Sequence, residues 1–309
     1  MWRQPRPCSP EPRTPATRRA TLAFVKTDPT ASLFPGKYFI STALEALETK
    51  TLMSGELLNR YLQRAGMAGI LIGVFYSVYY TTVAAFAGVQ YESLSLEGVG
   101  KVVGALVFGW ALVFIYYTKS ELLTSNMMIV TVGAYYHRAK WWRVLRLLFF
   151  CYVGNLLGGL LVAILFRFSS LVSGPVLEQM DHAIDVKLGY VSDGIAGWGD
   201  LFVRAIFCNL MINIAMLLVY NGLIKDDLTK SLAMIMSVFV FAFAGFEHSV
   251  ANSVLFLIMW FEHGIDVGLA AGNVGIALLG NYVGGGLLIG LYYAYVNDDS
   301  RYLRKRLNQ

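Results

Sequence analysis

Ala244-Gly245-Phe246-Glu247-His248-Ser249-Val250-Ala251-Asn252 places a carboxylate, an imidazole and an amide inside a stretch otherwise as apolar as lipid. A charge at bilayer depth costs from about 2.5 kcal/mol upward, so such residues face a polar cavity or a partner. Tyr117-Thr118-Lys119-Ser120-Glu121-Leu122-Leu123-Thr124-Ser125-Asn126 poses the same problem earlier in the chain. An offset of 126 pairs Glu121 with Glu247, Asn126 with Asn252, Gly154 with Gly280, Asn155 with Asn281, Gly158 with Gly284 and Gly159 with Gly285, without a gap. Coincident Glu, Asn and Gly define an internal repeat far better than coincident Leu or Val, which are abundant throughout.

The rest of the chain agrees with a membrane location. Of 309 residues, 56% are hydrophobic and 15% charged, with a mean hydropathy of +0.55. Those values exclude an ordinary soluble domain of this length. A bilayer core takes roughly 20 apolar residues per helix. Six windows qualify, near Ala65–Val89, Val102–Tyr136, Val144–Phe166, Leu201–Tyr220, Leu232–Phe261 and Val274–Val296. The second and fifth exceed one span and hold the two polar stretches. The expected fold is therefore all-α and integral to the membrane, with six transmembrane helices and helices 2 and 5 broken at mid-membrane. Three crossings reverse the chain's direction, so the two three-helix repeats are inverted, an arrangement that puts a permeation route at their interface.

Charge sets the expected orientation. Twenty of the 25 Lys and Arg fall before helix 1, in the 2–3 and 4–5 loops, or after Val296, whereas the opposite loops carry acidic residues. The positive-inside rule then makes both termini cytoplasmic, in a cell membrane. The expected division is a disordered basic tail over 1–32, an amphipathic surface helix within 33–61, a channel domain over 62–297 and a basic tail over 298–309. Residues 1–30 hold six prolines and six basic residues but no apolar core of a signal peptide. The three cysteines, Cys8, Cys151 and Cys208, indicate no disulfide framework.

Each polar residue has a structural and a functional reading. Glu121 and Glu247 could accept the N–H groups freed where each helix restarts, or could relay protons; only one half carries a His, which weighs against the relay. Asn126, Asn252, Asn155 and Asn281 suit amide brackets for loosened backbone. His248 stands opposite Leu122 in the repeat, so symmetry breaks at a residue that titrates near pH 6.5 when unperturbed. Thr124 and Asn209 are its expected partners, and a neutral imidazole satisfied by hydrogen bonds is the plain alternative. Lys119 stands opposite Gly245 and would attract anions, or snorkel to water. Gly154-x-x-x-Gly158 and Gly280-x-x-x-Gly284 suit close helix packing. The sequence contains no nucleotide loop, nucleophile triad or metal-ligand cluster, so no enzyme, cofactor, metal or nucleic acid is expected.

At these residues the chain resembles the formate/nitrite transporter family over roughly 37–300. Gly245-Phe246-Glu247-His248-Ser249-Val250-Ala251-Asn252 matches the family's helix-5 signature, and Gly280-Asn281-Tyr282-Val283-Gly284-Gly285 its helix-6 pattern. The resemblance implies an aquaporin-like fold, a homopentamer in the lipid bilayer with one route per subunit, and a central His248 near Thr124 and Asn209. By position, the implied apolar constrictions are Phe108, Leu112, Leu122, Leu123, Ile212 and Phe241. The helix-2 signature departs, with Lys119 and Ser125 for glycines and Leu123 for Phe. The family lysine sixteen residues before the helix-4 Asn falls on Asp193, so Lys119 is the expected replacement cation. The implied activity is proton-coupled transport of a small anion, formate first, with nitrite, hydrosulfide, acetate or lactate as further candidates. The alternative, a neutral-solute channel of the water or glycerol type, fits less well because the loops lack Asn-Pro-Ala. A transport-inactive scaffold is a third class, and the plain N-terminal tail does not favour it.

Overall fold

The computed structural model describes residues 32–91 and 94–307. The expected tail over 1–32, apart from Ser32, and the last two residues lie outside them, as does Cys8. Apart from a two-residue strand pair, Gln90–Tyr91 with Leu94–Ser95, the regular structure is helical. In chain order the helices are α1 (Lys37–Glu56), α2 (Leu58–Ala87), α3 (Glu97–Tyr117), α4 (Leu123–Tyr135), α5 (Trp141–Arg167) and α6 (Pro175–Ser192). There follow α7 (Gly194–Tyr220), α8 (Asp227–Phe243), α9 (Ser249–Glu262) and α10 (Val267–Asn281). The last continues through a π-helical stretch, Tyr282–Leu291, into α11 (Tyr292–Val296), before α12 (Ser300–Leu307).

Among the described residues, five helical stretches are long and apolar enough to cross a bilayer: Leu58–Ala87, Glu97–Tyr117, Trp141–Arg167, Gly194–Tyr220 and Val267–Arg306. Ser249–Glu262 is a shorter apolar helix. Large apolar side chains such as Trp110, Phe149, Leu165 and Trp260 are exposed on the outside of the bundle. The long apolar windows at 102–136 and 232–261 each divide into two helices, with the chain out of helix at 118–122 and at 244–248.

Glycine decides how closely the helices cross. A Cβ on Gly69 would overlap the Asn155 carbonyl, and one on Gly158 the Gly66 carbonyl, so α2 and α5 pack backbone to backbone. Gly284 stands against the Ile206 carbonyl in the same way, seating the π-helical stretch on α7. Asp226 and Asp266 begin α8 and α10 by accepting the N–H of Thr229 (2.7 Å) and Leu269 (2.9 Å).

Two elements outside the expected spans matter for the site. α1 has one exposed face, with Tyr38, Ser41, Glu45 and Leu52, and its other face, with Phe39, Ala43 and Leu47 fully buried, packs against α2, α4, α5 and α7. The acidic segment after α5, expected as a loop, forms α6, which packs against α2, α7, α9 and α10. Outside the spans, His263 donates from Nε2 to Asp181 (2.6 Å) and from Nδ1 to the Gly264 carbonyl (2.9 Å), joining the end of α9 to α6. Two acceptors require two ring protons, and the Asp181 bond and then the carbonyl raise the His263 pKa above its ordinary value.

Candidate functional site

Both interruptions have one design. α3 ends with Lys119 in the left-handed region (φ 57°) and Ser120 N–H donating back to the Ile115 carbonyl (3.0 Å). α8 ends with Gly245 (φ 68°) and Phe246 N–H donating to Phe241 (2.9 Å). This is the Schellman ending, whose left-handed residue is usually glycine because it has no Cβ to clash. Beyond each ending an asparagine from another helix takes over the loose backbone. Asn155 accepts from Leu123 N–H (3.1 Å) and donates to the Glu121 and Ala65 carbonyls (2.8 Å each). Asn281 accepts from Ser249 N–H (2.9 Å) and donates to Glu247 (3.0 Å) and Ala205 (2.8 Å) carbonyls.

The glutamate carboxylates do not take the freed N–H groups: Asn155 holds that of Leu123, Asn281 that of Ser249 and His248 that of Ala251. Each carboxylate instead meets a lysine from a helix outside the expected spans, buried for Lys187 and part-buried for Lys50. Lys187 of α6 donates to both Glu247 oxygens (2.8 and 2.7 Å), and Lys50 of α1 pairs with Glu121. Asn252 and Asn126 complete the carboxylates by donating to Oε2 at 2.6 and 3.1 Å. Neither asparagine side chain brackets backbone. Two charges brought together out of water need this much compensation, since the attraction otherwise falls short of the desolvation cost.

Two cavities open beside the pairs. One, of about 190 Å³, is lined by Lys187, Glu247, Lys101, Glu97, Tyr76, Phe108, Phe241 and His248. The other, of about 400 Å³, is lined by Lys50, Glu121, Arg64, Lys119, Leu112, Ile115 and Leu122. Between them lies a chamber of only about 20 Å³, walled by Ile72, Phe108, Ala111, Leu112, Ile115, Leu122, Ile212, Val238, Phe241 and His248. Phe108 and Phe241 belong to the chamber and the Lys187 cavity; Leu112, Ile115 and Leu122 belong to the chamber and the Lys50 cavity. Two apolar partitions thus flank one imidazole.

His248 is buried, its ring stacked 6.1 Å from Phe241, which meets Phe108 edge to face. It caps α9: Nδ1 accepts from Ala251 N–H (3.0 Å). Nδ1 is then unprotonated, so Nε2 carries the hydrogen and donates it to Thr124 Oγ1 (3.0 Å). Asn209 does not reach the imidazole. Its amide donates to the Thr124 carbonyl (3.2 Å) and the Asn281 carbonyl (2.7 Å), and Asn213 also donates to Thr124 (3.2 Å). Asn209 thus holds the backbone beneath Thr124.

Two other expected residues lie elsewhere. Leu123 is buried and lines none of the three spaces, because its backbone is drawn toward Asn155. Lys119 is exposed in the Lys50 cavity, its Nζ 4.8 Å from the Tyr116 ring centre, with the α3 ending turning it away from His248. Position 193 holds no cation; the lysine beside Glu247 is Lys187, six residues earlier. Its signal was present: a buried Glu247 demands a counter-charge, and Lys187 stands alone in an acidic segment.

A family model described as formate/nitrite transporter matches residues 39–295. The transporter YwcJ of Bacillus subtilis is 30% identical over 244 residues, covering 78% of this chain and 90% of the relative. The formate channel FocA of Haemophilus influenzae is 29% identical over 260 residues, covering 74% and 84%. Among solved structures, a channel titled "FNT family ion channel" superposes with a TM-score of 0.71 at 24% identity, covering 84% of this chain and 99% of the other. Another, "Pentameric formate channel with formate bound", gives a TM-score of 0.60 at 22% identity, covering 78% and 98%.

Proposed function

Because the chain belongs to the formate/nitrite transporter family, and so is a membrane transporter rather than an enzyme, we propose that it carries small monovalent anions together with protons. Formate is the first candidate; nitrite, hydrosulfide, acetate and lactate follow. The supporting observation is the pair of lysine-bearing cavities separated by a small apolar chamber with one imidazole.

Such a layout has a physical consequence for a carboxylate. Lys50 and Lys187 draw the anion into either vestibule, but a bare charge cannot pass the Phe108–Phe241 or Leu112–Leu122 partition without a large desolvation cost. Entry into a low-dielectric space favours the neutral acid, so the anion takes a proton from water on the approach and gives it up on the far side. His248 offers the passing acid its Nε2 hydrogen, exchanging Thr124 for substrate, while Nδ1 stays committed to Ala251. In this reading His248 is a hydrogen-bond donor and Thr124 its resting acceptor; Asn209 positions Thr124, and Ile212 is a chamber wall.

The same reading includes six spans in two inverted repeats, with the interruptions at 118–122 and 244–248 at mid-membrane. The basic excess supports a cytoplasmic location for both termini and the Lys50 vestibule. The pentameric solved relative supports a homopentamer. Formate flux into proteoliposomes across an imposed pH gradient tests the proposal. Each unit of acidification raises the neutral fraction about tenfold well above the acid's pKa, and initial flux should follow it. Formate flux indifferent to the gradient would defeat the coupling, and glycerol swelling without formate flux would favour a neutral-solute channel.

A further inference from the structure

The two vestibules are built alike but charged differently. Glu121 N–H donates to the Arg64 carbonyl (3.2 Å) and Glu247 N–H to the Arg204 carbonyl (3.4 Å), which makes Arg64 and Arg204 equivalent. One turn earlier stand Arg60 and Asp200, and at the left-handed positions Lys119 and Gly245. Arg60, Arg64 and Lys119 thus carry three positive charges where Asp200, Arg204 and Gly245 carry none net.

In the second half the arginine is fully used. Arg204 pairs with Asp200 (2.9 Å) and donates to the Gly245 carbonyl (3.1 Å). In the Lys187 vestibule, Lys101 pairs with Glu97 (2.8 Å) and Lys187 with Glu247. Around the Lys50 vestibule, Lys50 is paired with Glu121, but among the described residues Arg64 reaches only Met53 Sδ (3.2 Å) and Lys119 only the Tyr116 ring. Glu45 is the second carboxylate there and makes no ion pair among the described residues. Two cations without a carboxylate thus line one cavity. One of them occupies a backbone conformation that glycine adopts without strain and lysine does not. A non-glycine residue held in that region is a mark of function when its side chain has something to do.

Resting on the anion-transport reading above, we propose that Lys119 and Arg64 form a second anion-binding site, for a small carboxylate, in the Lys50 vestibule. The site gives the transporter a higher affinity for anion arriving from that face than from the Lys187 face. Lys187 and Lys50 are each paired with a glutamate in the same way, so the attraction they keep for substrate is about equal at the two faces, and the asymmetry comes from the unpaired cations.

The left-handed position supplies a clean variant. Lys119→Gly removes the charge and keeps the backbone, and Lys119→Arg keeps the charge. Formate is the probe, and its apparent KM is measured at each face in right-side-out and inside-out vesicles. Wild type should show the lower KM at the Lys50 face. Lys119→Gly should raise that KM by roughly two- to fivefold, as for an exposed charge, and leave the other face unchanged. The difference should shrink in high salt, and Lys119→Arg should behave as wild type. Equal KM values at the two faces of wild type, or a change in Lys119→Gly that is absent or equal at both faces, would overturn the proposal while formate transport stood. Wild type with no formate flux from either face would instead bring down the anion reading, and this site with it.

Discussion

His248 and Thr124 are held by a short chain of hydrogen bonds with little slack. Ala251 N–H occupies Nδ1, Nε2–H reaches Thr124 Oγ1, and the Thr124 carbonyl is held by Asn209 and Asn213. Thr124→Val is a near-isosteric change, and its repeat counterpart is already Val250. It leaves a buried N–H without an acceptor, which costs about 1–3 kcal/mol. The variant should melt at a lower temperature and carry less formate; an unchanged melting temperature would show that the imidazole has another acceptor. At this scale much was legible. His248 stood out because it broke the repeat, and Thr124 was named with it. Asn213 was not, because its role depends on a carbonyl 89 residues away.

Whole elements carry the charge compensation. Lys187 rides on α6 and Lys50 on α1, each bringing an ammonium to a carboxylate buried in an interruption of another helix. Removing one partner leaves an uncompensated buried charge, a loss of about 3–5 kcal/mol. Lys187→Met should therefore lower the melting temperature sharply, and Lys187→Met with Glu247→Gln should recover most of the loss. If the double variant were no more stable than the single one, the pair would not be what stabilises Glu247. The lysines these two helices carry are not legible in the sequence as partners of the glutamates. α1 has a mixed surface that suits either a membrane interface or a protein groove, and α6 is too polar to register as a span. The repeat offset does not reveal them, because Lys50 and Lys187 lie 137 residues apart rather than 126.

Over the whole molecule, the bundle is a membrane fold of the formate/nitrite transporter type, and its proposed orientation is open to direct measurement. In a chain with Cys8 replaced by Ser, cysteines introduced at exposed Ser41 and Ser170 should react with an impermeant thiol reagent from opposite faces. Ser41 should label from the cytoplasmic side; labelling of both positions from one side would refute the inverted arrangement. Sequence by itself determined that the chain enters a membrane, which stretches are apolar, where the two long windows are interrupted and which side chains recur at one offset. Those features follow from transfer free energy and local backbone chemistry, which act on neighbours in the chain. Only the tertiary structure decided that Glu121 and Glu247 meet lysines rather than backbone, that Asn209 supports Thr124 and not the imidazole, and that Lys119 faces the Lys50 cavity. Each of these depends on which distant groups share a low-dielectric space, where a charge or donor must find a partner, and folding alone selects it.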